Sequence, residues 1–240
     1  MRFGKPRPLG RGGCHQFRRF SDREDGAPGA DARLATPAPT QPRRQTAPSR
    51  ATGNAKALGP EPTPVIREGQ TAPDFSLPGV EGGEPGVYEL HRAVGDGDAV
   101  LLWFVPSTYL PTATAELCAV RDAGWHDLSG LEVWAISMDS IYASAAYADE
   151  FDLPMALLGD GGSAAEYYGV RSEEWEGHYG APKRAVFLLG AGWEIRFAWS
   201  TDGAFARTDP SPVERVGTAV EAVASGADTD VTVDYEGQFG

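Results

Sequence analysis

From Val65 onward the chain alternates short apolar runs with polar, Gly/Pro-marked breaks, and this spacing predicts strands and helices in turn. The clearest run, Asp98 to Val105, is nearly continuous in apolar residues and suits a central strand buried on both faces. It closes with Leu101-Leu102-Trp103-Phe104-Val105-Pro106, after which the pattern becomes helical. Pro111 fits the first helical turn, where its missing N–H costs nothing. Leu117 and Val120 face inward, and the helix runs to about Ala123 with Gly124 as its stop.

The flanking segments follow the same alternation. The stretch Gly69 to Leu77 reads as a loop entering a short strand, and Val87 to Leu90 as a second strand after a Gly/Pro-rich turn. Leu131 to Ser137 is the next strand, and Ser140 caps a helix through Tyr142, Ala146 and Phe151 that Pro154 ends. Leu157-Leu158 is a short strand, and Ser163 to Tyr168 a short helix closed by Gly169. Arg184 to Leu189 and Trp193 to Trp199 form a hairpin about the turn Gly190-Ala191-Gly192. A last helix spans about Pro212 to Ala224. Strands alternating with helices, then a hairpin and a helix, predict an α/β layered domain with a central mixed sheet flanked by helices.

Composition divides the chain at residue 64. Residues 1–64 carry 12 Lys and Arg against 5 Asp and Glu, a charge of +7, whereas residues 65–240 carry 9 against 29, a charge of −20. The leader also holds 10 of the 19 prolines, so it buries too little apolar surface to offset its ordering entropy, and disorder is expected. A translated start further downstream accounts for the same change of composition. The expected organisation is a basic leader over 1–64, one domain over 65–224, and an acidic tail over 225–240 that frays.

The body's charge argues against nucleic acid as its partner. Lys183 is its single lysine, and a carboxylate-rich, lysine-poor surface suits hydration in concentrated salt, which points to a halophilic protein; an ordinary acidic protein is the alternative. Two cysteines, Cys14 and Cys118, make no disulfide framework and suit a reducing, cytoplasmic setting. No run approaches ~20 apolar residues, so no membrane span is expected. His91, His126 and His178 lack metal-ligand spacing, Gly159-Asp160-Gly161-Gly162 lacks the form of a phosphate loop, and no cofactor or metal is expected.

A strand that leaves a core and feeds a helix N-terminus favours an anionic nucleophile there, since unpaired N–H groups face it. The order of elements, together with Ala72-Pro73-Asp74-Phe75, Trp103-Phe104-Val105-Pro106, Glu116 to Asp122, Ile136 to Ser140, Tyr168-Gly169-Val170 and Arg184 to Leu188, resembles the peroxiredoxin family in its AhpC/TSA and bacterioferritin-comigratory-protein branches. The resemblance covers about residues 65 to 224. It implies a thioredoxin-like fold, thiol-dependent antioxidant chemistry on a peroxide, a thioredoxin-like thiol reductant as partner, and a homodimer.

The family signature Pro-x-x-x-Thr-x-x-Cys falls on Pro106, Leu110 and Ala113, so the threonine is replaced by leucine and the peroxidatic cysteine by alanine. Pro106, Glu116, Cys118 and Arg184 are the remaining site positions that the resemblance implies. Arg184 matches the arginine that lowers the thiolate's pKa, and Cys118 the resolving cysteine of one branch. Five residues turn a helix through about 500°, so Cys118 does not share the face of Ala113. Two functions stay open: an antioxidant oxidoreductase with Cys118 as a lone thiol helped by Arg184, or a non-catalytic scaffold used for binding or assembly.

The charge pattern gives the first test. With −20 on the body, thermal stability is expected to rise from low to molar salt as carboxylate repulsion is screened. A melting temperature indifferent to salt removes the halophilic reading.

Overall fold

A computed structural model describes residues 63–95 and 98–237. The leader over 1–64 lies almost wholly outside the described residues, as does Cys14. Elements run β1 (Ser76–Glu81), β2 (Glu84–Glu89), α1 (Leu90–Gly95), β3 (Ala99–Phe104), α2 (Pro111–Asp122), β4 (Leu131–Ser137), α3 (Ile141–Glu150), β5 (Ala156–Gly159), α4 (Ser163–Tyr167), β6 (Arg184–Leu189), β7 (Ile195–Thr201) and α5 (Pro212–Val223). A 3₁₀ turn, Trp125–Asp127, follows α2.

The strands form one mixed sheet in the order β2-β1-β5-β4-β3-β6-β7. Pairing is parallel for β3 with β4 and β4 with β5, and antiparallel elsewhere. This is the thioredoxin-like α/β arrangement expected from the sequence. All six residues of β3 are buried, because it lies between β4 and β6 with apolar clusters on both faces. Leu101, Trp103 and Val105 join Ala113, Leu117, Val213 and Val216 on one side. Val100, Leu102 and Phe104 join Phe75, Trp134, Tyr168 and Phe187 on the other.

Several local features differ from the sequence reading. The strand expected at Val87 to Leu90 starts earlier, at Glu84, and Leu90 opens the unexpected helix α1. Pro85 is tolerated because β2 is the edge strand. The β6–β7 connection spans Gly190 to Glu194 rather than three residues. Trp193 and Glu194 are held by the N-terminal segment instead: Ala72 N–H donates to Trp193 O (2.8 Å), and Thr71 bridges Glu194. Tyr142 lies on α3 as expected and is 82% exposed, while Tyr147 is the helix's buried aromatic.

The expectation that residues beyond 225 fray is not met up to Gly237. Val231 and Val233 are buried, and the Trp125 indole N–H donates to Asp228 O (2.9 Å). With this segment, α5 and the 3₁₀ turn packed round it, α2 is buried continuously from Thr112 to Val120. That explains why Leu117 and Val120 are not its only inward residues.

Gly169 shows how the turn chemistry is fixed. Its φ is +70°, and a Cβ there would lie 2.3 Å from the carbonyl oxygen of Pro64. Gly169→Ala is therefore expected to cost about 2 kcal/mol or more, from left-handed backbone strain and displacement of the backbone at Pro64. A denaturation midpoint equal to wild type in the same salt would contradict this.

Candidate functional site

The site forms where β3 ends. Register pairs Phe104 with Ala185, so Arg184, the first residue of β6, lies beside the chain as it turns through Val105 and Pro106 toward α2. Asp139, just beyond β4, shapes that turn. Its carboxylate accepts from Thr108 N–H (2.6 Å), Ser107 Oγ (3.2 Å) and Ser137 Oγ (3.1 Å). Tyr109 takes a left-handed φ of 61°, and its ring packs edge-on against Tyr147 at 4.9 Å. Leu110 is the N-cap of α2 and contributes no side-chain cap; Pro111 follows at the first helical position.

Arg184 and Glu116 have wholly buried side chains and form an ion pair, Nη2 to Oε1 at 3.0 Å. Isolated burial of either charge is expensive, so the pair must be served by further groups. Arg184 Nη1 donates to the carbonyls of Gly203 (3.1 Å), Ala204 (3.3 Å) and Ala206 (2.6 Å) in the loop after β7. The Trp199 ring lies 5.3 Å from its guanidinium carbon. Thr112 Oγ1 donates to the same Ala204 carbonyl at 2.6 Å, which joins the first turn of α2 to the loop that holds Arg184.

The C-terminal segment completes the enclosure. Tyr235 Oη donates to Glu116 Oε1 at 2.8 Å. Arg207, from the loop after β7, pairs with Glu236 and lies over the Tyr235 ring. Burial pushes the Glu116 carboxyl up to about 7, and its neighbours Arg184, Tyr235 and Trp103 oppose that rise without cancelling it. Burial also raises the Tyr235 phenol, and the charge of Glu116 adds to the effect. Some polar atoms remain without a well-aligned hydrogen bond: Arg184 Nε and Nη2, Glu116 Oε2 and Trp103 Nε1.

Of the residues singled out in the sequence, the fold brings together Pro106, Leu110, Ala113, Glu116 and Arg184 around the β3–α2 junction. Ala113 is fully buried and lies one turn before Glu116, on the same face of α2. Cys118 is buried as well, but residues two apart on a helix diverge by about 200°, so it lies on another side from Glu116. It belongs to the apolar cluster that contains Trp125, Val213 and Val216. Sequence reasoning missed Tyr235, Thr112 and the 203–206 carbonyls. The alternation Val231, Val233, Tyr235 was the available signal for the first. Backbone acceptors leave no residue-type signal. Among the described residues no cluster of His, Cys, Asp and Glu is placed to hold a metal ion, and no helix is long and apolar enough to cross a membrane.

A model of the AhpC/TSA family matches residues 68–198. A relative from Coxiella burnetii that bears the bcp name is 34% identical over 139 residues, covering 56% of this chain and 88% of that protein. Peroxiredoxin Bcp of Escherichia coli is 30% identical over 135 residues, covering 54% and 83%. Among solved structures, peroxidoxin BcpB from Mycobacterium tuberculosis superposes with a TM-score of 0.51 at 25% identity, over 58% of this chain and 89% of that one. The reduced 2-Cys peroxiredoxin of Plasmodium vivax shares the fold, with a TM-score of 0.55 at 22% identity over 65% and 95%. The family match spans the central strands, α2 and Arg184 together, and this chain belongs to the AhpC/TSA family of peroxiredoxins.

Proposed function

We propose that this protein is a peroxiredoxin-family member that does not itself reduce peroxide and keeps the redox scaffold as a binding or assembly module. The observation that carries this reading is Ala113, fully buried in the first turn of α2 on the face that leads to Glu116 and Arg184. Peroxide reduction needs a thiolate that attacks one peroxide oxygen, becomes a sulfenic acid and releases water or an alcohol. A methyl group offers no lone pair for that attack. Leu110 likewise supplies no hydroxyl to orient a peroxide. Arg184, instead of facing a thiolate, is bound to Glu116 and three carbonyls and serves the packing of α2 against the 203–206 loop.

Family ancestry supports a thioredoxin-like reductant and a peroxide as partners of an active relative, and in this reading neither is turned over here. The buried position of Cys118 supports a packing role for that residue. The cysteine usage and acidic body support a reducing, salt-rich cytoplasm as the setting.

Hydrogen peroxide consumption with a dithiol reductant is expected at background for wild type and unchanged by Cys118→Ser. Ala113→Cys is expected to raise it measurably, because the helix N-terminus and Arg184 both favour a thiolate there. Brisk turnover by wild type that Cys118→Ser abolishes would instead make Cys118 the nucleophile and overturn the proposal.

The pair at the centre of the site gives a pH test. With Glu116 raised from 4.5 to about 7, the folded protein binds more protons than the unfolded chain across that interval. Its contribution to stability is therefore fully present below 4.5 and is lost as pH rises through about 7. Glu116→Gln is expected to flatten this fall, because the amide does not titrate, and to match wild type most nearly at low pH, where the Glu116 carboxyl is already neutral. Urea midpoints that run parallel for the two proteins from pH 5 to 8 would contradict the assignment.

A further inference from the structure

At the opposite end of β6 from Arg184 lies a cavity of about 740 Å³, bordered by the β6–β7 turn, the start of β3 and the outer side of α5. A six-residue strand separates the two places by about 20 Å, so this cavity is no part of the site described above. Its size is in the range that holds a small organic ligand. Ala99, Ala191, Ala219, Ala222 and Val223 give it an apolar floor, and Arg196 and Arg215 stand on its two sides.

The arginines are the notable feature in a body that carries 29 carboxylates against 9 cations. Arg196 pairs with Glu194 at 3.1 Å, but Arg215 has no ion pair with a carboxylate among the described residues. Its Nε donates to Pro210 O (2.9 Å), which fixes the stem and leaves the terminal nitrogens for another acceptor. The helix is built to match. Its buried face carries Val213, Val216, Gly217 and Val220, while Arg215, Thr218, Ala219, Ala222 and Val223 form the cavity side. Glu214 and Glu221 lie about 100° or more round the helix from the middle of that side, so no carboxylate of α5 enters it. Asp98 is the acid near the far end, within 4.0 Å of where a Gly130 side chain would begin.

The geometry points to a binding site for an amphipathic organic anion, with the carboxylate or sulfonate held by Arg215 and Arg196 and the apolar portion on the alanine floor. A small inorganic anion would depend on charge alone, against a body of −20 and under strong screening in salt. An amphipathic one gains apolar contact that salt does not weaken. Gly190 lets the Arg196 side chain lie close across the turn: a Cβ there would stand 3.1 Å from Arg196 Nε, so a larger residue would shift that side chain by a few tenths of an ångström.

The test is fluorescence titration of the full-length protein in molar KCl with 8-anilinonaphthalene-1-sulfonate, followed by competition with decanoate and with inorganic phosphate. Saturable one-site binding is expected, displaced by decanoate and not by phosphate. Arg215→Gln should weaken it about tenfold or more, the scale of a lost charge-assisted hydrogen bond. Gly190→Ala should weaken it by displacing Arg196. Arg215 is exposed on the helix, so its replacement keeps the native near-UV dichroism and the loss reads as loss of contact. Absence of binding, displacement by phosphate alone, or affinity untouched by both variants would overturn the proposal. None of these results bears on peroxide turnover, so this site and the assignment at Ala113 stand or fall separately.

Discussion

The buried ion pair between Arg184 and Glu116 is the constraint that the rest of this structure answers to. Moving two charges out of water costs several kcal/mol per ion even after relaxation, and one contact at 3.0 Å repays this only when further dipoles are aimed at the pair. Those dipoles come from distant parts of the chain. Three carbonyls of residues 203–206 face Arg184, and the Tyr235 hydroxyl faces Glu116. The loop after β7 and the C-terminal segment are therefore ordered by an electrostatic demand set at the junction of β3 and α2. Arg207 ties them to each other through Glu236 and the Tyr235 ring.

This arrangement also explains the burial of α2. A helix packed only on the sheet would show one apolar face, yet Thr112 to Val120 are all buried. The second cover is the segment from Asp228 to Tyr235, which is pinned at Trp125 and at Glu116. Thr229 packs against α5 where Gly217 has no side chain; a Cβ there would lie 3.6 Å from it. The acidic composition of this segment made it look like a solvated tail. Its alternate residues Val231 and Val233 nonetheless enter the core cluster, leaving Asp230, Thr232 and Asp234 outside.

How much was legible in the sequence follows from which signals are local. The apolar run of β3, Pro111 at the start of α2 and Ser140 as the cap of α3 depend on neighbouring residues, and the structure has each of them. The hairpin was legible and its loop was not, because Trp193 and Glu194 bond to Ala72 and Thr71, more than a hundred positions away. Arg184 and Glu116 could each be named from the family pattern, but their pairing could not. It requires Phe104 opposite Ala185, a register set by the whole sheet. The carbonyls of 203–206 carry no side-chain identity and were invisible.

Under the proposal that Ala113 stands at the nucleophile position, the same energetics account for which neighbouring groups stay fixed around it. Arg184 and Glu116 are coupled, so losing either alone strands a charge in the core, at a cost of about 3–5 kcal/mol. That is a large share of the ~5–15 kcal/mol by which a domain is stable. A small side chain at 113 faces no comparable barrier. Ala113 is fully buried among apolar neighbours, and with Arg184 paired to Glu116 a methyl group there strands no charge. A chain can therefore part with the chemistry while the charge pair, the loop and the C-terminal segment that serve it remain fixed. Arg184 and Glu116 accordingly report on the architecture of α2 and the sheet, and under the proposed function it is residue 113 that reports on the reaction.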